Sequence, residues 1–109
     1  MIRMSLIGAG FIGSVHATNL AAHPGVEFVG VADIDTARAV ALADRHETRA
    51  LDVAEALDPA VVDAVLIASS TDTHAQHLRA AAAAGLACLC EKPIDLDPVS
   101  YTHLRAHET

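Results

Sequence analysis

The stretch GAGFIG, residues 8–13, decides the fold, because it joins an apolar run at residues 2–7 to a helix-forming segment. Gly8 permits a tight turn between strand and helix, and Gly10 leaves room for a pyrophosphate to approach the backbone. Gly13 allows the helix to pack closely on the strand. The helix that follows offers free N–H groups and a partial positive charge to phosphates. The alternative is a glycine-rich turn that binds nothing.

Apolar runs and alanine-rich stretches alternate along the rest of the chain, which is typical of strands and helices in a parallel α/β sheet. Asp35 is a suitable N-cap, and Asp52 with Glu55 forms a capping-box pattern. Thr73 with Gln76 repeats that pattern before a helix that ends at Gly85. The pattern predicts strands at 2–7, 27–32, 48–50, 63–68 and 86–90, and helices at 11–22, 36–45, 52–58 and 73–84.

The composition favours one α/β domain. The chain has 109 residues, of which 52% are apolar and only 3% aromatic, so Ala, Val, Leu and Ile must form the core. Right-handed crossovers then favour a doubly wound parallel sheet with the strand order 3-2-1-4-5.

The charge pattern indicates a small soluble partner. A net charge of −7 without a Lys/Arg cluster argues against binding to nucleic acid or to an anionic membrane. No apolar run approaches the roughly 20 residues of a membrane span, and no signal peptide is expected. We therefore expect a cytoplasmic protein.

Asp33 ends the second predicted strand, 20 residues beyond Gly13. At this spacing an acidic residue accepts hydrogen bonds from the adenosine ribose hydroxyls of a dinucleotide, and it would repel a 2′-phosphate. The residue therefore favours NAD over NADP. Arg38 lies nearby and keeps the NADP alternative open, since an arginine can accommodate that phosphate.

Two polar segments follow the fourth and fifth predicted strands. Ser69, Ser70 and Thr71 come after the fourth, where they could line a cofactor or serve as turn and capping residues. Glu91 and Lys92 come after the fifth, and a lysine there would point into the same crevice. Beside a nicotinamide, its ammonium group could bind a substrate hydroxyl and help to move its proton.

The histidines and cysteines favour structural roles. His74 and His77 are three residues apart on a predicted helix, but no further ligands accompany them, so no metal site is expected. Cys88 and Cys90 would lie on the same face of a strand, too far apart for an easy disulfide. We interpret them as reduced thiols.

Together these motifs resemble the glucose-fructose oxidoreductase/inositol dehydrogenase (Gfo/Idh/MocA) family. The resemblance covers about residues 2–97 and rests on the segments 8–16, 31–33, 69–74 and 90–93. It implies a two-domain enzyme that oxidises a hydroxyl of a sugar or cyclitol by hydride transfer to NAD. It also implies that Lys92 is catalytic. The cofactor-binding residues that it implies are Gly8, Gly10, Phe11, Ile12, Gly13, Asp33, Ser69, Ser70, Thr71, His74, Glu91 and Lys92.

The resemblance also predicts the domain organisation. Residues 1–97 form the dinucleotide-binding domain, and the α/β substrate domain of the family, with much of its oligomer interface, is expected to be absent. We interpret residues 98–109 as a tail foreign to the family, produced by translation of read-through sequence in a truncated gene model. The parent enzyme is expected to be a homo-oligomer. The alternative function is a regulatory module that senses NAD(P) without catalysis.

Overall fold

The structure, a computed structural model, describes residues 1–69 and 71–90, with the backbone alone at residues 71, 72 and 90. Within these residues, five strands alternate with four helices. The elements are β1 (Ile2–Ile7), α1 (Phe11–Ala22), β2 (Val26–Ala32), α2 (Thr36–Arg45), β3 (Arg49–Ala50), α3 (Val53–Ala56), β4 (Ala64–Ile67), α4 (Thr71–Ala83) and β5 (Ala87–Cys90).

All strand pairs are parallel, and the order in the sheet is β3-β2-β1-β4-β5. The predicted fold class and strand order are therefore confirmed. The chain adds β2 and β3 on one side of β1 and then β4 and β5 on its other side, so β1 and β4 are neighbours. The position between β1 and β4 is the switch point of a doubly wound sheet, where a crevice opens at the carboxyl ends of the strands.

Two apolar cores cover the two faces of the sheet, because side chains alternate along each strand. On β1, Met4 and Leu6 pack in one core, together with buried residues of α1 and α2. Ile7 packs in the other core with residues of α3 and α4, such as Ala56 and Ala81. The alternating pattern thus fixes which helices lie on which side.

A buried hydroxyl joins β1 to α3. Ser5 is fully buried, and its Oγ donates a hydrogen bond of 2.7 Å to the carbonyl oxygen of Ala56. Opposite this residue, the register of β1 against β2 shifts, so that Met4 pairs with Phe28 and Ser5 with Gly30. The buried polar group is therefore satisfied within the fold.

The start of α4 differs from the prediction. The helix begins at Thr71, so Thr73 and Gln76 lie within its first two turns rather than at a capping box. By contrast, Asp35 caps α2 and the Asp52–Glu55 capping box caps α3, as predicted. None of the helices in the described parts of the chain combines the length and apolar character that a membrane span requires.

Candidate dinucleotide site

The glycine turn after β1 is tightly built. Gly8 has a φ of +110°, which an L side chain rarely adopts, and a Cβ there would lie 2.6 Å from the backbone of Ala68. A Cβ on Gly13 would lie 1.9 Å from the carbonyl oxygen of Gly8. Glycine is therefore required at both positions by the packing of β1, α1 and the end of β4.

Gly10 differs from the other two glycines of the motif. A Cβ at this position would meet no atom within 4 Å, so the fold itself does not require glycine here. Gly10 is the N-cap of α1, and no side chain caps the helix. The open space in front of uncapped helical N–H groups is what an anionic ligand requires.

Asp33 bridges the two turns that flank the cleft. Its Oδ2 accepts a hydrogen bond of 2.7 Å from the backbone N–H of Ala9, and its Oδ1 accepts one of 2.8 Å from the N–H of Asp35. Asp35 in turn accepts hydrogen bonds from the N–H groups of Ala37 and Arg38 at the start of α2. The carboxylate thus lies between the β1–α1 turn and the β2–α2 turn.

These turns enclose a cleft of about 290 Å³ at the carboxyl ends of the strands. Four of its lining residues belong to the predicted site, namely Gly8, Gly10, Asp33 and Ser69. Residues that the sequence analysis did not assign to the site complete the lining: Ile7, Ile34, Arg38, Val53, Ala68, Thr73 and His77.

Several of these additional residues follow a recognisable rule. Ile34 comes two residues after the end of β2, Val53 three residues after the end of β3, and Ala68 directly after β4. Listing the residues that follow each parallel strand would have found them. Thr73 and His77 are separated by one turn of α4, so their joint position depends on how that helix packs.

The cleft combines apolar and cationic groups. Ile34 is 76% exposed although it is apolar, and it lies beside Arg38 in the lining. The Nε of Arg38 lies 3.7 Å from Oδ2 of Asp35, with both side chains more than half exposed. An ion pair this exposed contributes little to stability and leaves the guanidinium accessible to a ligand.

His77 is buried at the inner side of the cleft, where it is 7% exposed. Burial lowers its pKa below the ordinary histidine value, with a further contribution from His74. The lowered pKa favours the neutral imidazole, which can donate and accept hydrogen bonds without adding a charge.

The remaining predicted site residues are distributed as follows. Phe11 is 81% exposed at the start of α1, Ile12 is half-buried in the same turn, and His74 is buried in α4. Thr71 is the first residue of α4. Ser70, Glu91 and Lys92 lie outside the described residues, so the structure does not bear on the role predicted for Lys92.

The residues present fit a dinucleotide. Gly10 provides an open cradle at a helix N-terminus, which suits a pyrophosphate. The Oγ of Ser69 is buried at the end of β4 and has no hydrogen-bond partner among the described residues. A buried hydroxyl of this kind is expected to have a partner, and a ligand in the cleft can supply one.

No group of three or more His, Cys, Asp or Glu residues could hold a metal ion within residues 1–69 and 71–90. The polar groups at this site are mainly backbone N–H groups and hydroxyls, with the Asp33 carboxylate as an acceptor. Such a set suits phosphate and ribose groups.

Comparison with known proteins agrees with this geometry. A model of the Gfo/Idh/MocA family, described as an oxidoreductase family with an NAD-binding Rossmann fold, matches residues 2–108. Inositol 2-dehydrogenase of Rhizobium meliloti is 46% identical over 98 residues, which are 88% of this chain and 29% of that protein. UDP-N-acetylglucosamine 3-dehydrogenase of Acidithiobacillus ferrooxidans is 40% identical over 96 residues, 88% of this chain and 30% of that protein.

A solved structure has the same fold. Scyllo-inositol dehydrogenase from Lactobacillus casei, crystallised with NAD(H) and scyllo-inositol, superposes with a TM-score of 0.76 at 26% identity. The match covers 98% of this chain and 32% of that one. This chain thus spans less than a third of the length of the two curated relatives. The predicted family and cofactor, NAD, are confirmed: the chain belongs to the Gfo/Idh/MocA oxidoreductase family and carries its NAD-binding Rossmann fold.

Proposed function

We propose that this chain is the cofactor-binding part of a dehydrogenase that oxidises a hydroxyl group of a sugar or cyclitol with NAD. The observation that carries the proposal is the cleft at the switch point, where an open glycine cradle, a carboxylate and a buried hydroxyl face one another. Relatives that act on inositol and on a nucleotide sugar support the substrate class.

The lining of the cleft supports an assignment of each part of the dinucleotide. The pyrophosphate would lie over Gly10, against the N-terminus of α1. The adenosine ribose would donate its hydroxyls to Asp33. The hydroxyl of Ser69 would bind the cofactor from the end of β4. Phe11, Ile12, Ser70, Thr71, His74 and Glu91 complete the proposed cofactor contacts.

Lys92 is the proposed catalytic residue. NAD held at Gly10, Asp33 and Ser69 would supply the acceptor for the hydride that leaves the carbon bearing the substrate hydroxyl, so that a ketone forms. The ammonium group of Lys92 would donate a hydrogen bond to the hydroxyl oxygen and stabilise the negative charge that develops there as the proton passes to solvent. The proton and the hydride together account for the two hydrogens that the substrate loses.

Asp33 supports a preference for NAD over NADP, because its carboxylate would repel a 2′-phosphate. Arg38 lines the same cleft and is the group that would favour NADP. The ion pair with Asp35 offsets part of the positive charge of Arg38. A cytoplasmic location, a homo-oligomeric parent and a domain boundary at residue 97 remain predictions of the sequence.

Calorimetric titration of the 109-residue chain with NAD tests the proposed site. Gly10→Ala adds a methyl group that meets no protein atom but occupies the proposed pyrophosphate position. We expect NAD affinity to fall about tenfold or more, while the free energy of unfolding changes by less than about 1 kcal/mol. Ala41→Ser, at an exposed position of α2, is the control. Unchanged affinity in Gly10→Ala would argue against the site.

A chimera tests Lys92. Residues 1–97 of this chain would replace the matching segment of the Rhizobium meliloti inositol 2-dehydrogenase, whose remaining two thirds supply what this chain does not contain. We expect Lys92→Met to lower kcat by about 10²- to 10⁴-fold, the usual contribution of a proton-transferring side chain. A chimera with normal turnover after this substitution would refute the catalytic role.

A further inference from the structure

We infer that Asp33 is a positioning residue for the glycine turn in addition to being a ribose ligand. The N–H of Ala9 lies between Gly8 and Gly10, and it donates to Oδ2 of Asp33 at 2.7 Å. This contact joins residues 24 apart in the chain and is made between protein atoms alone. The part of the inference that concerns the dinucleotide rests on the proposed function.

The contact constrains the turn between two points that are held by other hydrogen bonds. On its strand side, the N–H of Gly8 donates to the carbonyl of Ala32 at 2.8 Å. On its helix side, the carbonyl of Gly10 accepts from the N–H of Ser14 at 2.9 Å. Asp33 holds the backbone between these two points. A hydrogen bond to a carboxylate is roughly twice as strong as one between neutral groups, so it is well suited to this role.

The same carboxylate also orders the second turn, through the N–H of Asp35 at 2.8 Å. One side chain therefore sets the separation of the two cleft walls that receive the pyrophosphate and the ribose. A carboxylate has about four lone-pair positions, and the two backbone N–H groups occupy two of them. The ribose hydroxyls can therefore bind Asp33 without displacing the N–H of Ala9.

Replacement of Asp33 consequently has two effects. Asp33→Ser removes the ribose contact and also releases the glycine turn. We expect this variant to bind every dinucleotide more weakly, including NADP, although the repulsion of a 2′-phosphate has been removed. Asp33→Asn retains a side-chain oxygen that can accept from Ala9, so it should preserve part of the turn.

Two ligands separate the effects in the 109-residue chain. ADP carries the ribose hydroxyls, whereas 2′,3′-dideoxy-ADP lacks them. If Asp33 acts only on the ribose, Asp33→Ser leaves the affinity for dideoxy-ADP unchanged. If it also positions the turn, dideoxy-ADP affinity falls about fivefold or more, and Asp33→Asn restores part of it. Equal affinity of wild type and Asp33→Ser for dideoxy-ADP would overturn the inference.

A measurement without ligand tests the positioning role independently. Amide hydrogen exchange at Ala9, followed by NMR, should accelerate about tenfold or more in Asp33→Ser and less in Asp33→Asn. Asp35→Ala, which removes the side-chain cap of α2 but not a contact with Ala9, is the control. Unchanged exchange at Ala9 in Asp33→Ser would also overturn the inference. If neither nucleotide binds wild type but exchange responds as expected, the proposed function fails and the positioning role stands.

Discussion

Gly10 and Gly13 belong to the same motif but are glycines for different reasons. A Cβ on Gly13 would be forced against the Gly8 carbonyl, whereas one on Gly10 would point into open space. The sequence motif predicts both positions. Only the packing separates the residue that the fold requires from the residue that a ligand would require.

Gly13→Ala should therefore destabilise the protein. The 1.9 Å separation from a backbone oxygen can be relieved only by moving α1 away from β1. We expect the free energy of unfolding in urea to fall by about 1–3 kcal/mol, the usual cost of overpacking. Gly10→Ala is the matched control, and equal loss of stability in the two variants would contradict the packing argument.

The buried hydroxyl of Ser5 permits a second prediction. Its removal in Ser5→Ala leaves the Ala56 carbonyl without its donor from β1, at a site with no exposure to water. We expect a loss of about 1–3 kcal/mol in the free energy of unfolding. Ser14→Ala, at a less buried position on α1, should change it by much less. A smaller loss in Ser5→Ala than in Ser14→Ala would exclude the proposed role.

His77 should make stability depend on pH. Burial lowers its pKa below the value of 6.5 for an unperturbed histidine, and His74 lowers it further. The unfolded chain therefore binds more protons than the native protein as pH falls. The stabilising contribution is complete above pH 6.5 and is lost as pH falls towards the native pKa.

Urea unfolding at pH 7.5 and pH 5.5 measures this effect. We expect the difference in stability between the two pH values to be smaller in His77→Gln than in wild type. His23→Gln, at an exposed histidine, serves as the control for the substitution itself. Equal pH dependence in wild type and His77→Gln would contradict the assignment.

At the scale of elements, local chemistry predicted most boundaries. β1, α1 and α2 have the predicted bounds, since the glycine turn starts α1 and Asp35 caps α2. The start of α4 was predicted wrongly because Thr73 and Gln76 have capping-box spacing, yet the helix begins two residues earlier. Spacing alone cannot choose between adjacent candidate caps.

The cleft was predicted only in part, and for a related reason. Gly8, Gly10 and Asp33 follow from a motif and its distance to the end of the second strand, and Ser69 follows from its position after the fourth strand. Thr73 and His77 come from α4, whose position depends on packing across the second core. Contacts between elements far apart in the chain leave no local signature.

The capping box of α3 is strong enough to be tested. Asp52 accepts from the N–H of Glu55 at 2.7 Å, and Glu55 accepts from the N–H of Asp52 at 3.1 Å. Asp52→Ala should lower the free energy of unfolding by about 0.5–2 kcal/mol. Asp44→Ala, at an exposed position within α2, is the control. No difference between the two variants in urea unfolding would argue against the cap.

At the scale of the whole molecule, Arg3 connects the start of β1 to the segment before β4. Its guanidinium donates to both oxygens of Asp63 and to the carbonyl of Ala60, and its backbone N–H also donates to Asp63. These contacts join the two halves of the sheet at the end opposite the cleft. Arg3 lowers the pKa of Asp63 to about 2, chiefly through the side-chain hydrogen bonds.

The lowered pKa of Asp63 predicts that the protein loses stability in acid. Because the native pKa of Asp63 lies below its value of 3.8 in the unfolded chain, the stabilisation is present above pH 3.8 and is lost towards pH 2. Asp63→Asn should remove part of the acid dependence of the thermal midpoint between pH 5 and pH 2.5. Asp58→Asn is the control. We expect a modest effect, because the side chains of Arg3 and Asp63 are both solvent-exposed. An unaltered acid dependence of the thermal midpoint in Asp63→Asn would refute this contribution.

The adjacency of β1 and β4 has a consequence for the order of folding. β1, α1 and β2 are consecutive in the chain, whereas Met4 pairs with Ala64, 60 residues further on, so we expect the β1–β2 pairing to form before the β1–β4 pairing. The cleft needs both Gly8 and Ser69, so it does not exist until that late pairing is complete. A ligand of the cleft would bind only the fully folded protein and would stabilise it by mass action. The amount of dinucleotide bound would therefore measure the fraction of chains in which β1 and β4 have paired.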